Sequence, residues 1–351
     1  MADLAVRNLA LRLGGAEILQ DVSLTVAAGE AVALLGASGS GKTTLLRAIA
    51  GLERPHAGSI AIGERVFFDA ARGIDLPAEQ RGLGLVFQSY ALWPHRTVFE
   101  NVATGLKLRH VTPDEITQRV DRVLAQFDLS AFAARLPAQL SGGQQQRVAI
   151  ARALVYAPPV ILLDEPLSNL DARLREDARG WLRLLITTLG LSAIHVTHDQ
   201  AEAMAIADRI VLLEAGRIAQ DGSPSALYNE PASRFAAEFM GSNNRLDGVL
   251  LESANGRATL EVLGEPLIGL ARTSAQKGAT VAGIIRVERT RLTREPGRNR
   301  LAMTLKTAMY LGERWELLFE RGHLRVRAYA EAPPAAGEHY VEFPPEALWV
   351  F

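Results

Sequence analysis

Eight consecutive residues have the composition and spacing of a phosphate-binding loop: Gly36-Ala37-Ser38-Gly39-Ser40-Gly41-Lys42-Thr43. Glycines let backbone N–H groups converge on phosphate oxygens, and a helix that begins at the loop adds partial positive charge. Lys42 is expected to reach the β- and γ-phosphates of a nucleotide, and the hydroxyl of Thr43 to hold Mg²⁺. Thr44, the next residue, is expected to belong to the nucleotide-binding site. The alternative is a glycine-rich turn that happens to contain a lysine. Because all eight positions match, we predict a site for nucleotide phosphates and Mg²⁺.

Two acidic residues, Asp164 and Glu165, directly follow the apolar run Val160–Leu163. Such a run is expected of a central parallel strand, and carboxylates at the C-terminal end of such a strand face the ligand crevice. Asp164 is expected to bind Mg²⁺ directly or through water, and Glu165 to polarise the attacking water. The alternative is an acid pair that caps the following turn.

Histidine and glutamine side chains occur at further predicted strands. His195 lies within the strand predicted over 192–197, and His198 follows that strand. Residues three apart on a strand point to opposite faces, so we expect no shared metal site, and we expect His195 to pack in the core. Gln88 follows the strand predicted over 83–87. Taken alone, it indicates only that the strand ends at a polar residue. Asp199 and Glu202 have the spacing of a capping box for the next helix.

A second glycine-containing run, Leu140-Ser141-Gly142-Gly143-Gln144, precedes a helix predicted through Val155. Ser141 and Gln144 have capping-box spacing, which explains these two residues. It does not explain Gly142 and Gly143, because glycine weakens the first turn of a helix. Backbone N–H groups exposed at a helix N-terminus bind anions, so the run predicts a second anion site.

The same five residues match the signature of ABC-type ATPases letter for letter, and the chain resembles the ATP-binding subunit of a bacterial ABC importer. The resemblance is dense over residues 3–235 and looser in the tail, which is similar to the TOBE-like β domain of importers for iron, polyamines, phosphonates, oxyanions and sugars. It implies that Gln88 is the Q-loop glutamine at the Mg²⁺ and that His198 contacts the γ-phosphate. It also implies that Ser168–Asp171 is the D-loop, with Asp171 near the nucleotide.

The resemblance further implies a homodimer and membrane partners. In the family, each ATP is held between the phosphate loop of one chain and the signature of the other, and hydrolysis reopens the dimer. The segment Ser89–His95 is expected to contact a transmembrane permease subunit, which in turn works with a solute-binding protein. Ordinary core packing of Tyr90 and Trp93 is the alternative. We expect the subunit to lie on the cytoplasmic face of the cell membrane and to have no nucleic-acid partner. Ferric iron, polyamine and phosphonate are the leading candidates for the transported solute.

Leu13 is a departure from the family pattern. The family usually places an aromatic residue at this position to stack on adenine, whereas the first aromatic residue of this chain is Phe67. Stacking of a base on an aromatic ring is worth about 1–3 kcal/mol. We therefore predict weaker or less base-selective nucleotide binding.

The elements that must position these residues follow from hydrophobic periodicity. Two antiparallel strands are predicted over 4–28, broken at Gly14-Gly15, and the apolar run Ala31–Leu35 predicts a buried strand before the phosphate loop. We predict an α/β P-loop ATPase domain over residues 1–240 with a helical insert at about 89–157. After a linker at 241–244, we predict a small all-β, OB-like domain over 241–351. It contains strands over 257–263, 280–287, 314–319, 323–329 and 339–343. Six arginines of this domain are expected to lie on a solvated edge and loop: Arg286, Arg289, Arg291, Arg294, Arg298 and Arg300. The alternative is a ligand site, since a small OB-like barrel can bind an anion or nucleic acid.

Composition limits the remaining classes. The chain has 351 residues, a net charge of −1 and no cysteine, which excludes disulfides, thiol catalysis and cysteine-based zinc sites. We expect no signal peptide and no membrane-spanning segment. A soluble ABC ATPase acting on DNA or ribosomes is a competing hypothesis, but the neutral charge and single ATPase unit disfavour it. A P-loop kinase is the other, and it leaves the signature and His198 without a role.

Overall fold

The computed structural model describes residues 3–351, which divide into two compact units. The first unit ends at Ala226, and the second spans Leu227–Phe351. The domain boundary that the sequence suggests at residues 240 and 241 stays a prediction. Among the helices of residues 3–351, none combines the length and the hydropathy that crossing a bilayer requires.

The first unit is an α/β structure that contains both parallel and antiparallel strands. Its strands are β1 (Leu4–Leu13), β2 (Ala16–Val26), β3 (Ala31–Gly36), β4 (Ala57–Ile62), β5 (Arg65–Asp69), β6 (Ile74–Asp75), β7 (Gly84–Val86), β8 (Ile161–Asp164), β9 (Ala193–Val196), β10 (Arg209–Glu214) and β11 (Arg217–Gly222). Its helices are α1 (Lys42–Ala50), α2 (Ala78–Arg81), α3 (Val98–Lys107), α4 (Pro113–Gln126), α5 (Gly142–Leu154), α6 (Ala172–Leu189) and α7 (Gln200–Ile206), and α8 (Pro224–Asn229) contains the boundary between the units.

A six-stranded sheet in the order β11-β10-β3-β9-β8-β7 carries the predicted site residues. Its strands are parallel except β11, which pairs antiparallel with β10. Both faces are covered, because Ile161 and Leu163 of β8 belong to one apolar core and Leu162 to another. This explains why the central strands read as continuous apolar runs, and it brings the ends of β3, β8 and β9 to one edge.

A second, antiparallel sheet has the order β2-β1-β4-β5-β6. The predicted pair of strands over 4–28 is confirmed: β1 and β2 pair from Leu4 with Val26 to Leu13 with Ala16, and the turn lies at Gly14 and Gly15. This pairing places Leu13 at the end of β1, next to the turn.

Helices α3, α4 and α5 pack together between β7 and β8 in the chain. The buried face of α4 consists of Ile116, Val120 and Leu124. Thr112 is the N-cap of α4, and Pro113 occupies the first helical turn. The Thr112 side chain makes no capping hydrogen bond, so the fixed φ of Pro113 is the local feature that starts this helix.

The second unit is rich in β-strands. It contains α9 (Arg234–Phe239), β12 (Asn243–Ala254), β13 (Arg257–Val262), β14 (Glu265–Ala271), β15 (Thr280–Arg286), β16 (Arg291–Thr293), β17 (Arg300–Tyr310), β18 (Trp315–Arg321), β19 (Leu324–Ala330), β20 (Glu338–Glu342) and β21 (Trp349–Val350). The strands β12-β13-β14-β21-β15 close a barrel, and β16-β20-β17-β18-β19 form a sheet. One core joins barrel residues such as Leu260 to sheet residues such as Phe319. The five strands predicted in this region are all present.

Two sequence interpretations in the second unit are wrong. The segment predicted as a linker contains the start of β12, where the buried amide of Asn244 donates to Thr290 Oγ1 at 3.0 Å and to Arg327 O at 2.7 Å. Arg286 does not lie on a solvated edge, because its side chain is only 1% exposed. In both cases a polar residue whose type suggests the surface is buried and hydrogen-bonded to residues distant in sequence.

Candidate active site

The phosphate loop connects the end of β3 to the start of α1, and its glycines are sterically required at two positions. A Cβ at Gly36 (φ 153°) would lie 2.4 Å from the carbonyl oxygen of Leu213, and one at Gly41 (φ 99°) would lie 2.8 Å from Leu19 Cδ2. Ala37, Ser38 and Gly39 are exposed, and a Cβ at Gly39 would meet nothing within 4 Å. The loop is thus packed tightly against the protein at its ends and open at its centre, where a phosphate can approach the backbone.

Lys42 is buried at the first position of α1 and holds the loop from inside. Its Nζ donates to Gly36 O at 2.8 Å and to Ala37 O at 2.9 Å, and it lies 3.5 Å from Ser40 Oγ. Burial lowers the pKa of Lys42, while the nearby carboxylates of Glu165 and Asp164 act in the opposite direction. The ammonium group therefore lies beneath the open centre of the loop, where it can bind phosphate oxygens.

Thr43 and Asp164 meet between the loop and the end of β8. Thr43 Oγ1 donates to Asp164 Oδ1 at 3.2 Å. Burial raises the pKa of the Asp164 carboxyl, opposed mainly by the hydrogen bond from Thr43 and the charge of Arg47. A hydroxyl and a carboxylate oxygen at this distance fit the oxygen-ligand preference of Mg²⁺. The two residues could hold the ion together.

Glu165 has an unusual backbone conformation directly after β8. Its φ is 45°, in the left-handed region that non-glycine residues seldom adopt. Its carboxylate accepts from Gln88 Nε2 at 3.2 Å through Oε2 and lies 3.2 Å from His198 Nδ1 through Oε1. His198 is itself 61% exposed. The ends of β7, β8 and β9 thus bring together three residues that are far apart in sequence, as their positions at strand ends predict.

The D-loop joins the same group of residues. Asn169 Nδ2 donates to Gln88 O at 2.5 Å, and Ser168 Oγ donates to Glu165 O at 2.9 Å. Asp171 is the N-cap of α6, where its carboxylate accepts from Leu174 N at 2.9 Å. Its expected place near the nucleotide stays a prediction.

The signature residues start α5 in the way their spacing predicts. Gln144 N donates to Ser141 Oγ at 3.3 Å, and Ser141 N donates to Gln144 Oε1 at 2.9 Å. A Cβ at Gly143 would meet nothing within 4 Å, and one at Gly142 would meet Leu170 Cδ2 at 3.4 Å. Packing inside this chain therefore does not require either glycine, and the free approach to the helix N-terminus is what they preserve.

Comparison with known proteins supports this geometry. The model of a family described as "ABC transporter" matches residues 19–168. The chain is 45% identical over 316 residues to the Fe(3+) ions import ATP-binding protein FbpC of Brucella melitensis, covering 90% of this chain and 87% of that protein. It is 40% identical over 349 residues to the protein of the same name from Escherichia coli O157:H7, covering 98% and 96%. It is also 51% identical over 260 residues to the sulfate/thiosulfate import ATP-binding protein CysA of Burkholderia mallei, covering 72% and 71%.

The chain belongs to the ATP-binding subunits of ABC importers.

Solved structures agree with this assignment. The dimeric structure of MJ0796, a bacterial ABC transporter cassette, has a TM-score of 0.54 and 33% sequence identity, and the match covers 63% of this chain and 98% of that one. A post-hydrolysis state of the same cassette bound to ADP and Pi matches equally well. This importer subunit is accordingly an ATPase with the ABC P-loop fold, as its sequence predicts. Its family membership disfavours the two competing classes, a nucleic-acid ABC ATPase and a P-loop kinase.

The segment after Gln88 in this ABC subunit combines a buried and a partly exposed aromatic residue. Tyr90 is buried, in agreement with the alternative of ordinary core packing for this residue, whereas Trp93 is 36% exposed. Tyr90 and Ala91 have φ values of 60° and 47°. Arg152 of α5 holds them by donating to Tyr90 O at 2.7 Å and to Ala91 O at 2.6 Å. The signature helix is thereby hydrogen-bonded to the Q-loop, a link that sequence reasoning missed because nothing local marks it.

His195 and Glu202 form a second contact that sequence reasoning missed. His195 is buried as predicted, and its Nε2 lies 2.7 Å from Glu202 Oε1. Glu202 Oε2 accepts from the hydroxyl of Thr197 at 3.0 Å, and this hydroxyl also accepts from Asp199 N at 3.0 Å. Asp199 caps α7 by accepting from Glu202 N at 3.1 Å. Half of the predicted capping box is therefore confirmed, and the carboxylate of Glu202 is instead buried against β9.

Proposed function

We propose that this ATPase subunit works as a head-to-tail homodimer in which two ATP molecules are bound between the chains. Each nucleotide would lie between Gly36–Thr43 of one chain and Ser141–Gln144 of the other. The proposal rests on one observation: within a single chain, the polar groups around the phosphate loop and those of the signature form two separate hydrogen-bonded sets. Hydrogen bonds join Thr43 to Asp164, and Gln88 to both Glu165 and Asn169. Ser141 and Gln144, by contrast, bond each other at a helix N-terminus that is open to approach. An anion held by both sites would join the two helix N-termini.

The proposed roles follow the chemistry of each group. The N–H groups of the loop and the ammonium of Lys42 bind the β- and γ-phosphates, while Thr43, Asp164 and Gln88 hold Mg²⁺. When bound, the ion neutralises charge on the phosphate oxygens. Glu165 accepts a proton from the attacking water, and His198 binds the γ-phosphate. The D-loop residue Asp171 and the position of Leu13 remain proposed nucleotide contacts.

Hydrolysis would reopen the dimer because it removes the γ-phosphate that both sites hold. Gln88 is suited to sense this change, since its amide bonds Glu165 and its carbonyl bonds the D-loop. Movement of Gln88 would be passed to the segment Ser89–His95 that follows it. We propose that this segment, with the partly exposed Trp93, contacts a transmembrane permease subunit.

We propose ferric iron as the first solute to test. Two relatives named as Fe(3+) importers match 90% and 98% of this chain, and thus include most of its second unit. The sulfate/thiosulfate relative matches 72%, and a further Fe(3+) relative from Rhizobium meliloti matches 73%. Polyamine and phosphonate are weaker candidates. The subunit would lie on the cytoplasmic face of the cell membrane, bound to permease subunits that receive the solute from a binding protein, with no nucleic acid involved. Uptake assays with the cognate permease would separate ferric iron from sulfate.

Light scattering on a Glu165→Gln variant tests the dimer. The substitution keeps the shape of the side chain but removes the base, so Mg²⁺ and ATP should convert monomer to dimer while ADP should not. Glu79→Gln, a change at an exposed acid on α2, should not accumulate an ATP-bound dimer. A Glu165→Gln chain that binds ATP yet stays monomeric would refute head-to-tail closure by the subunit alone.

A further inference from the structure

The second unit contains a cavity of about 190 Å³ that is lined by three arginines and one glutamate. The arginines are Arg286, Arg289 and Arg291, the glutamate is Glu346, and Trp349 supplies an apolar wall. These residues come from the end of β15, the turn after it, β16 and the C-terminal strand β21 with the segment before it. Nothing in the ATPase chemistry proposed above uses them.

Arg286 is the deepest group of the cavity, and it carries a buried charge. Its guanidinium donates to the carbonyl oxygens of Ala237, Met240 and Tyr228 and to the amide oxygen of Asn243. None of these acceptors has a negative charge. The carboxylate of Glu288 acts on Arg286 through its charge, while its hydrogen bond comes from the Tyr228 hydroxyl. The Arg286 Nε is buried and has no hydrogen-bond partner among residues 3–351. A buried cation is ordinarily stabilised by an anion, and a buried donor without an acceptor costs folding free energy.

Arg289 and Arg291 extend the positive charge from this buried group to the surface. Both side chains are exposed, and with Arg286 they give the cavity three positive charges against the single carboxylate of Glu346. Arginine guanidinium groups bind oxyanions through paired, charge-assisted hydrogen bonds. Trp349 is buried and lies 5.1 Å from the Arg286 guanidinium, so it fixes one wall of the cavity.

We propose that this cavity binds a small tetrahedral oxyanion, such as inorganic phosphate or sulfate. The volume holds such an ion together with a few waters, since a water occupies roughly 30 Å³ of liquid. Arg289 and Arg291 donate hydrogen bonds to the anion at the entrance of the cavity, and the buried charge of Arg286 attracts the anion from beneath. The site is independent of the proposed transport cycle and gives the second unit a ligand of its own.

Isothermal titration of the full chain with inorganic phosphate tests this site. The phosphate loop also binds phosphate, and an ABC cassette can hold ADP and Pi together. A saturating non-hydrolysable ATP analogue and Mg²⁺ are therefore present throughout, so that the γ-phosphate position is occupied as well. The expected result is saturable binding of phosphate or sulfate that equal ionic strength of chloride does not reproduce. The double variant Arg289→Gln/Arg291→Gln should weaken this binding by about tenfold or more, because each lost guanidinium removes a charge-assisted hydrogen bond.

Arg298→Gln is the matched control, because Arg298 is an exposed arginine of the same unit that does not line the cavity. It should leave the affinity unchanged. Glu346→Gln should tighten binding, since it removes the one carboxylate that repels the anion. Wild-type binding no stronger than that of chloride, or equal loss in the Arg298 variant and the double variant, would overturn the proposal.

Discussion

At the scale of single residues, Asp164 combines a metal-binding role that we propose with a cost to folding that its burial explains. Burial raises the pKa of its carboxyl, so ionisation of Asp164 destabilises the folded chain. This cost is absent below the unfolded pKa of an aspartate, about 4, and develops as pH rises through the higher folded value. The side chain is thus least favourable to folding at the pH where it can bind Mg²⁺.

Asp164→Asn should therefore raise the unfolding temperature of the nucleotide-free protein at pH 7, by about 2 °C. The asparagine oxygen can still accept the hydrogen bond from Thr43. The gain should disappear below pH 4, and Mg²⁺ should no longer improve ATP binding. Thermal unfolding across pH, with the exposed Asp121→Asn as control, measures this; a lower unfolding temperature at pH 7 would show that the carboxylate stabilises the fold.

Leu13→Tyr tests the missing adenine contact. Leu13 is 40% exposed beside the β1–β2 turn, so a tyrosine there meets no core packing. If adenine stacks at this position, the ring should tighten ATP binding by about 5-fold to 150-fold, since a stacked base is worth about 1–3 kcal/mol. Titration with ATP and with GTP separates stacking from phosphate binding. Unchanged ATP affinity would remove Leu13 from the nucleotide site.

The sequence predicted that several site residues lie at strand ends, because each follows a recognisable strand or precedes a helix. They are the phosphate loop, Asp164, Glu165, Gln88 and His198. It missed residues whose partners are remote in sequence. Arg152 bonds carbonyls about 60 positions earlier, and Arg286 bonds carbonyls of the second unit more than 40 positions earlier. Neither the residue type nor its local pattern distinguishes such an arginine from a solvated one.

At the scale of elements, two helices begin with complete capping boxes and offer a matched pair. Thr97 and Glu100 cap α3, and Ser141 and Gln144 cap α5. Thr97→Ala and Ser141→Ala should each cost about 1 kcal/mol of stability.

Only the Ser141 variant should also lose ATPase activity, at least tenfold, because the Ser141 hydroxyl and the N–H groups beside it are the proposed donors to the γ-phosphate. Urea unfolding and ATPase assays on both variants measure the two effects. Equal activity in the two variants would mean that the signature only starts a helix.

Element boundaries were predictable where hydrophobic alternation was strong, as in β1, β2 and the predicted strands of the second unit. They failed where composition resembled a turn. Asn243 and Asn244 begin a strand of twelve residues, because their neighbours pair with β15 and the Asn244 amide bonds Thr290 and Arg327. Pairing across more than 40 residues decided the structure there, and a local pattern contains no information on it.

At the scale of the whole molecule, each unit has apolar cores of its own. Phe319→Ala should open a cavity in the core of the second unit and destabilise that unit by about 3–5 kcal/mol. Calorimetry should show a lower unfolding temperature for the second unit. The unfolding temperature of the first unit should still rise when Mg²⁺ and ATP are added. Tyr310→Ala, at an exposed aromatic of the same sheet, is the control. Loss of the nucleotide response in the Phe319 variant alone would show that the units do not unfold separately.

The contacts of Glu165 have a consequence for the aim of the proposed base. Its two carboxylate oxygens each face one neighbour, Gln88 and His198. An ionised carboxylate has about four acceptor sites, so both oxygens keep lone pairs that can accept a proton from water. Gln88 and His198 therefore act as two fixed points that stop the carboxylate from rotating, and a water molecule meets a base whose direction is already set.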